Sequence, residues 1–515
     1  MKNSLRMLSA SLTVLMLISA FAGCKKSPKY EYSSTFEIID NGDTDNSDTQ
    51  NGDDTGNASA GSNKNNSTAG NNSGTSGNKG TAIGDKGSTS GSGGSSGKQI
   101  KNDIEIKSGN TPAENGLNLN GKTILWVSPW EVDSKYYTQF QNKYNCKIDK
   151  RILSFNTYAQ QVASLVASGN KIDIGYIYGG QFPQIVVKNL WQPLQNSITT
   201  ADLSDNSNPD KGGIDIEKSK LLGWNNNLYG LVGYYSTEPN VLYYNKKLLK
   251  SNGYDADQLL NYYKQGKWTY DTLKSFGKEF LKDTGVYFGT TDMYAGWLTS
   301  NSAVYIKYVN GTPTENLSDP KVYNALKFVS DISTGSDAIL KFFKNQTAKD
   351  VFTSGNVLCY KEQISEYASL KEKAASSSAF GNDASNVGIV QLPKGPDSKD
   401  EYITTSAVTG WACGVGSQNP TAAVAWAKMM IADNCAELKN RCGLTEEQFD
   451  YYIRKPLQSH SIVRSYYGFA TSSTSMSEIA AKIESEVYLG GDITSILNNY
   501  RQQVKNCIDV CMKQQ

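Results

Sequence analysis

The chain has 515 residues, 51 Lys and Arg against 50 Asp and Glu, and a formal net charge of +1. That balance, with no basic cluster beyond scattered pairs, argues against a nucleic-acid surface. The single histidine, His460, excludes histidine-rich metal sites and makes a histidine-assisted triad a poor fit; alone it reads as a surface or packing residue.

The N-terminus opens with Lys2 and Arg6, followed by an apolar run over 7–22 that ends at Phe21-Ala22-Gly23-Cys24. About 16 apolar residues fit an export signal and fall short of the ~20 a spanning helix needs. Lys25 and Lys26 would put positive charge at both ends of an uncleaved helix, which disfavours one. The arrangement resembles the lipobox of bacterial lipoproteins, with Phe21 where that motif has leucine. The resemblance implies residues 1–23 as signal peptide and a diacylglyceryl group on Cys24; a plain secretory signal or an uncleaved anchor are the alternatives.

Residues 33–97 are almost entirely Ser, Gly, Asn, Asp, Thr and Lys, too polar to bury the surface that would offset ordering entropy. The segment 24–116 is therefore expected to be a lipidated, disordered tether. About 65 flexible residues span ~45 Å on average and ~200 Å when taut. Gly93-Gly94-Ser95-Ser96-Gly97 matches a nucleophile-elbow pattern but lacks the flanking strand and helix. Asp43 to Asp48 is loosely like a calcium loop, with Asp48 in place of its glycine and Asp54 in place of its glutamate.

The remainder, 117–515, is roughly 400 residues of ordinary globular composition, more than one core's worth of chain, and two lobes are expected. Of seven cysteines after Cys24, the pairs Cys435/Cys442 and Cys507/Cys511 could bridge locally, but neither spacing matches a zinc framework, and buried single thiols fit most of them. No cofactor is implied. Residues 123–127 form an apolar run suited to a buried strand, followed by an amphipathic helix over 136–144 and a strand over 147–153. A helix over 158–167 and a strand over 172–178 complete a strand-helix-strand-helix-strand unit, which implies a parallel sheet with right-handed crossovers. Ligands collect at the carboxyl ends of such strands, here Ser128-Pro129-Trp130-Glu131 and Gly179-Gly180-Gln181-Phe182. Further on, Thr269 caps a helix, and an Ala-rich helix spans 421–430.

Several fragments in order carry a resemblance: Ala167-Ser168-Gly169 with Ile172-Asp173-Ile174, Leu228-Tyr229-Gly230, Tyr244-Asn245-Lys246 with Gly253, Trp268-Thr269 with Leu273, Phe352 to Gly355, Gln391 to Gly395, and Asn419-Pro420. Together they resemble the family 1 extracellular solute-binding proteins of bacterial ABC importers, the maltose-binding-protein group, over essentially the whole chain beyond the tether. The resemblance implies an α/β, two-lobed, periplasmic-binding-protein-like (Venus flytrap) fold with hinge crossovers near 236–240 and 395–402. Lobe 1 is then about 117–235 and 403–445, lobe 2 about 241–396, and helices of 446–515 brace both. It also implies a monomer held to the outer face of the cell membrane only by its lipid, delivering a solute to permease subunits.

Sugars present apolar C–H faces and a rim of hydroxyls, so their sites combine aromatic platforms with carboxylates and amides. On the family's pattern the candidate platforms are Trp130, Tyr178, Trp297 and Trp411, beside the polar Glu131, Gln181, Glu238, Asp292, Glu362 and Gln363. Glu238 lies eight residues before Lys246, where maltose-binding protein also carries a hinge glutamate; Ser365 stands roughly where that protein has a cleft tryptophan. Trp224, Trp268 and Trp426 are expected in cores. Two other readings stay open: a surface polysaccharide-binding adhesin without a transporter, and a glycoside hydrolase using a carboxylate pair such as Glu131 and Glu238.

Overall fold

The computed structural model describes residues 104–205, 208–237, 239–291, 296–309, 311–399, 408–459 and 467–513. The signal sequence, Cys24, the tether, Glu238, Asp292 and His460 lie outside them.

The first half of the architecture follows from two periodicities. Strand β1 (Thr123–Ser128) alternates, with Ile124 and Trp126 entering one apolar cluster and Leu125 and Val127 the other, so it is a fully covered central strand. Helix α1 (Ser134–Tyr144), capped by the Asp133 carboxylate and stopped by a left-handed Asn145, leads to β2 (Lys147–Ile152); α2 (Tyr158–Ala167) leads to β3 (Ile174–Tyr178). Strand β4 is Trp191–Gln192. The chain then passes into a second body through β5 (Asn240–Asn245), α3 (Tyr270–Thr284), β6 (Gly289–Thr290), α4 (Trp297–Ser300), α5 (Pro320–Ser333), β7 (Cys359–Gln363) and β8 (Val387–Gln391). It returns as β9 (Thr409–Gly414) and continues as α6 (Pro420–Arg441), α7 (Met476–Tyr488) and α8 (Ile493–Lys513).

Lobe 1 holds a five-stranded sheet ordered β2-β1-β3-β9-β4. The first three strands are parallel, as expected, and β9 is antiparallel to both neighbours. Lobe 2 is built on the antiparallel sheet β7-β5-β8, whose centre β5 again alternates, Val241 and Tyr243 to one cluster and Leu242 and Tyr244 to another. In lobe 1 the indoles of Trp126, Trp411 and Trp426 form a triangle with centroids 5.7–5.8 Å apart. Trp224, Trp268 and Trp426 are buried, as expected.

One departure concerns the C-terminal region. The helix expected over 421–430 runs on to Arg441: Ala422 to Ile431 pack in lobe 1, whereas Leu438 and Cys442 enter the core of lobe 2. Beyond it, Phe469 packs on Trp224 of lobe 1 with centroids 6.1 Å apart, while α7 lies against α5 of lobe 2. The seven described cysteines are free thiols, six of them buried.

One buried carboxylate ties lobe 1 together. Asp173 accepts from the Leu125 N–H (3.0 Å) with one oxygen and from Ser417 Oγ (2.6 Å) and Asn419 Nδ2 (3.0 Å) with the other, joining β1, the start of β3 and the β9–α6 turn. Asp173→Ala leaves a buried donor unpaired, and we expect a loss of about 3 kcal/mol, read as a shifted urea midpoint with unchanged slope. Burial of Glu484 on α7 pushes its carboxyl up to about 8, against the opposing charge of Lys361 and the Tyr305 hydroxyl. The folded state therefore holds this proton more tightly than the unfolded one, and stability falls as pH rises from about 4.5 to about 8. Glu484→Gln should flatten the dependence of unfolding midpoint on pH in that window.

Candidate functional site

The carboxyl ends of the parallel strands carry a row of three half-buried aromatic rings. Trp130, two residues past β1, has its N–H on Ser128 Oγ (3.1 Å) and stacks on Phe155 with centroids 5.0 Å apart and planes 25° apart. Phe155 opens a short 3₁₀ turn after β2 and meets Tyr178, the last residue of β3, at 5.6 Å and 57°. All three keep part of their surface accessible. The Tyr178 ring folds back over the following turn, closely enough that a Cβ on Gly180 would lie 2.2 Å from its Cε1. In that turn Gln181 has a buried Oε1 without a hydrogen-bond partner among the described residues.

The hinge lies beside Tyr178. Tyr178 pairs with Thr409 of β9, and the Ser236 carbonyl accepts from both Thr409 N (3.4 Å) and Thr409 Oγ1 (3.1 Å), so the chain leaves lobe 1 at Ser236 beside the point where β9 begins. On the lobe 2 side, Glu362 and Gln363 end β7 opposite Val241 and Asn240. Glu362 Oε1 accepts from the Gln363 N–H (2.9 Å) and Oε2 from the Tyr360 hydroxyl (3.3 Å), while Tyr243 donates to the Gln363 carbonyl (2.7 Å).

Of the residues expected in the site, Trp130, Tyr178 and Gln181 thus lie along one rim of lobe 1, and Glu362 and Gln363 lie at the hinge strands. Glu131, next to Trp130, is 47% exposed and ion-paired with Lys150 of β2, a solvated pair of little energetic weight. Trp297 and Trp411 are placed elsewhere. Trp297 is 1% exposed, packed edge-on against Tyr270 and Phe328; Trp411 is 8% exposed, inside the indole triangle. Both rings fill cores because neighbouring apolar side chains cover them on each side. Phe155 was not among the expected residues; the rule applied to the ends of the first and third strands finds it when applied to the second. Among the described residues no three His, Cys, Asp or Glu side chains converge as a metal site requires.

The model of a family described as bacterial extracellular solute-binding protein matches residues 135–437. The chain belongs to this family. The match runs from α1 into α6; it leaves out β1 and Trp130, which precede it, and takes in the other strands of both sheets. Extracellular solute-binding proteins bind rather than transform, and the chain is a binding protein, not an enzyme. A search of curated proteins returned no match. Among solved structures, the fold is similar to the cyclic α-maltosyl-1,6-maltose binding protein of Arthrobacter globiformis, at 14% identity and a TM-score of 0.57, over 75% of this chain and 98% of that one. It is also similar to the GacH receptor of Streptomyces glaucescens, solved with acarbose (14%, TM-score 0.54, 76% and 98%). A third is the galacto-N-biose/lacto-N-biose I-binding protein of an ABC transporter from Bifidobacterium longum, solved with lacto-N-biose (12%, TM-score 0.55, 76% and 98%).

Gly180→Ala tests the geometry of the row. The added methyl must displace the Tyr178 ring, so the near-UV circular dichroism should change while unfolding free energy moves by less than about 1 kcal/mol.

Proposed function

We propose that this solute-binding protein captures a carbohydrate between its lobes and delivers it to an ABC permease in the membrane. The observation that carries the reading is the row Trp130–Phe155–Tyr178, partly accessible, with the Gln181 amide in the turn that follows. Stacked rings match the apolar faces of pyranoses, and amide and carboxylate groups match their hydroxyls. Glu131, Glu362, Gln363 and, through the family pattern, Glu238 and Asp292 supply the polar partners, with Trp297 and Trp411 acting as supports behind the site rather than as platforms. That similar folds have been solved with acarbose or lacto-N-biose supports the carbohydrate class. Closure about paired crossovers encloses a small solute from both sides, which neither lobe does alone. Among the described residues no helix is long and apolar enough to cross a membrane, so the membrane is reached through the lipid on Cys24 and the tether behind it, with the protein a monomer on the outer face.

A thermal-shift screen of mono- and oligosaccharides should return at least one that raises Tm, with saturable tryptophan fluorescence and no product formed. Binding confined to long insoluble glycans, or release of hydrolysis products, would replace the capture reading with adhesion or hydrolysis respectively. Trp130→Ala should weaken saccharide binding about tenfold or more with Tm of the unliganded protein nearly unchanged. Cys24→Ala should release the protein into the medium with saccharide affinity intact.

A further inference from the structure

Residues 104–116, expected as the end of the tether, are instead folded onto lobe 1, and with 117–121 they form one strap ahead of β1. The strap runs beside the chain that follows β4. Lys107 forms a parallel bridge with Thr199, the Lys107 carbonyl accepts from the Thr200 N–H (3.0 Å), and Gly109 exchanges two hydrogen bonds of 3.0 Å with Thr200 Oγ1. Thr199 Oγ1 donates to the Thr111 carbonyl (3.0 Å). The main attachment is Asp202, 1% exposed, whose two oxygens both accept from the Ala113 N–H (3.1 Å each). One of them also accepts from Lys428 Nζ of α6 (2.8 Å), which reaches Glu114 of the strap as well (2.7 Å). Such charge-assisted hydrogen bonds are roughly twice as strong as neutral ones. At one end of the strap Ile104 is buried against Gly223, where an added Cβ would lie 2.8 Å from its Cδ1. At the other, the Leu119 and Gly121 N–H groups donate to the Tyr144 and Asn145 carbonyls at the end of α1 (2.8 Å each).

The strap changes where the chain leaves lobe 1. Lys122, whose carbonyl accepts from the Lys147 N–H (2.9 Å), stands at the amino ends of β1 and β2, the two strands that precede Trp130 and Phe155. A chain leaving there would start on that side of the sheet. Ile104 lies on the other side. Gly223, which it covers, pairs with Leu228, and the Leu228 carbonyl accepts from the Leu194 N–H (2.7 Å), two residues past β4. In the sheet β4 and β2 are opposite edges, so the strap crosses lobe 1 from one edge, past Lys428 of α6, to the other. Its hold is local. Only Ile104 and Leu119 are buried in the lobe 1 core, while Ile106, Ala113 and Leu117 are partly buried against it, a density of apolar contact that belongs to segments able to open on their own.

We propose that residues 104–121 are a releasable mooring strap, which carries the tether around lobe 1 and lets it go at the β4 edge, away from Trp130 and Phe155. Fastened, the strap makes the tether and a solute approach lobe 1 from different edges. Released, it adds roughly 60 Å of extended chain to the tether and returns the exit to the amino end of β1. The proposal rests on the tether of the preceding section and not on the identity of the solute.

The test loosens the strap from its own side, in the full chain, with Gly109→Val and Glu114→Ala together. A Cβ on Gly109 would lie 3.0 Å from Thr199 Cβ, so a valine there forces the strap and Thr199 apart, and the second change removes the partner of Lys428 on the strap. Ser108→Val puts the same bulk at the exposed neighbouring position as a control. Spin labels carried on unnatural amino acids at Glu105 of the strap and Lys171 of lobe 1, both exposed, report the distance between them. Wild type and Ser108→Val should give one narrow distribution and the double variant a broad one. Amide hydrogen exchange at Gly109 and Ala113 should be about tenfold faster in the double variant, with exchange in β1 and β3 unchanged. A distribution as narrow as that of the wild type, or exchange that accelerates through β1 and β3 together with the strap, overturns the proposal. If Cys24→Ala fails to release the protein from cells, the tether reading falls, and the label distances still decide whether the strap opens.

Discussion

The pairing of β9 with β3 is the constraint from which the rest of the molecule follows. Thr409 to Ala412 lie antiparallel to Tyr178 to Gly175, more than two hundred residues earlier in the chain, and Trp411 simultaneously bridges Leu231 on its other edge. A strand that comes home to complete the first sheet makes everything between Leu231 and Trp411 an insertion, so the second lobe must leave and return at neighbouring points. Ser236 and Thr409 therefore lie beside each other and beside Tyr178, at the carboxyl end of β3, where open parallel sheets leave a crevice. The aromatic row at the strand ends and the inserted second lobe thus share one cause. Asp173 reinforces it from below by fixing the start of β3 to the turn that follows β9.

Much of lobe 1 is legible from residue pattern alone, because the alternation in β1 and the spacing of Tyr136, Tyr137, Phe140 and Tyr144 on α1 are local signals. The return strand is different. Thr409–Gly414 has no alternation, being covered on both faces, and its pairing depends on a partner far away in sequence; only resemblance to a family points to it. Helix α6 is visible where it is Ala-rich and fades where polar residues begin, since the partner of Leu438 is the core of the other lobe. The site divides similarly. Chain position places Trp130 and Tyr178 at strand ends, because strand ends are readable. It does not separate them from Trp297 and Trp411, whose rings have the same chemistry but are sealed by Tyr270 and Phe328 or by Trp126 and Trp426. Phe155 has no periodic signal; only its place just past the end of β2 marks it in the sequence.

The free thiols have a consequence for survival outside the cell. Seven reduced cysteines in a member of an extracellular family face an oxidising medium, yet disulfide exchange proceeds through the thiolate. Burial pushes Cys146, Cys413, Cys435 and Cys507 up to about 11. At neutral pH the reactive fraction of each is roughly a few hundredfold below that of an exposed thiol. The packing that builds the two cores therefore also acts as a kinetic shield, keeping these sulfurs chemically silent without a single crosslink among the described residues. Its thinnest point is Cys435, the one thiol that is not fully buried, on the stretch of α6 between the two cores.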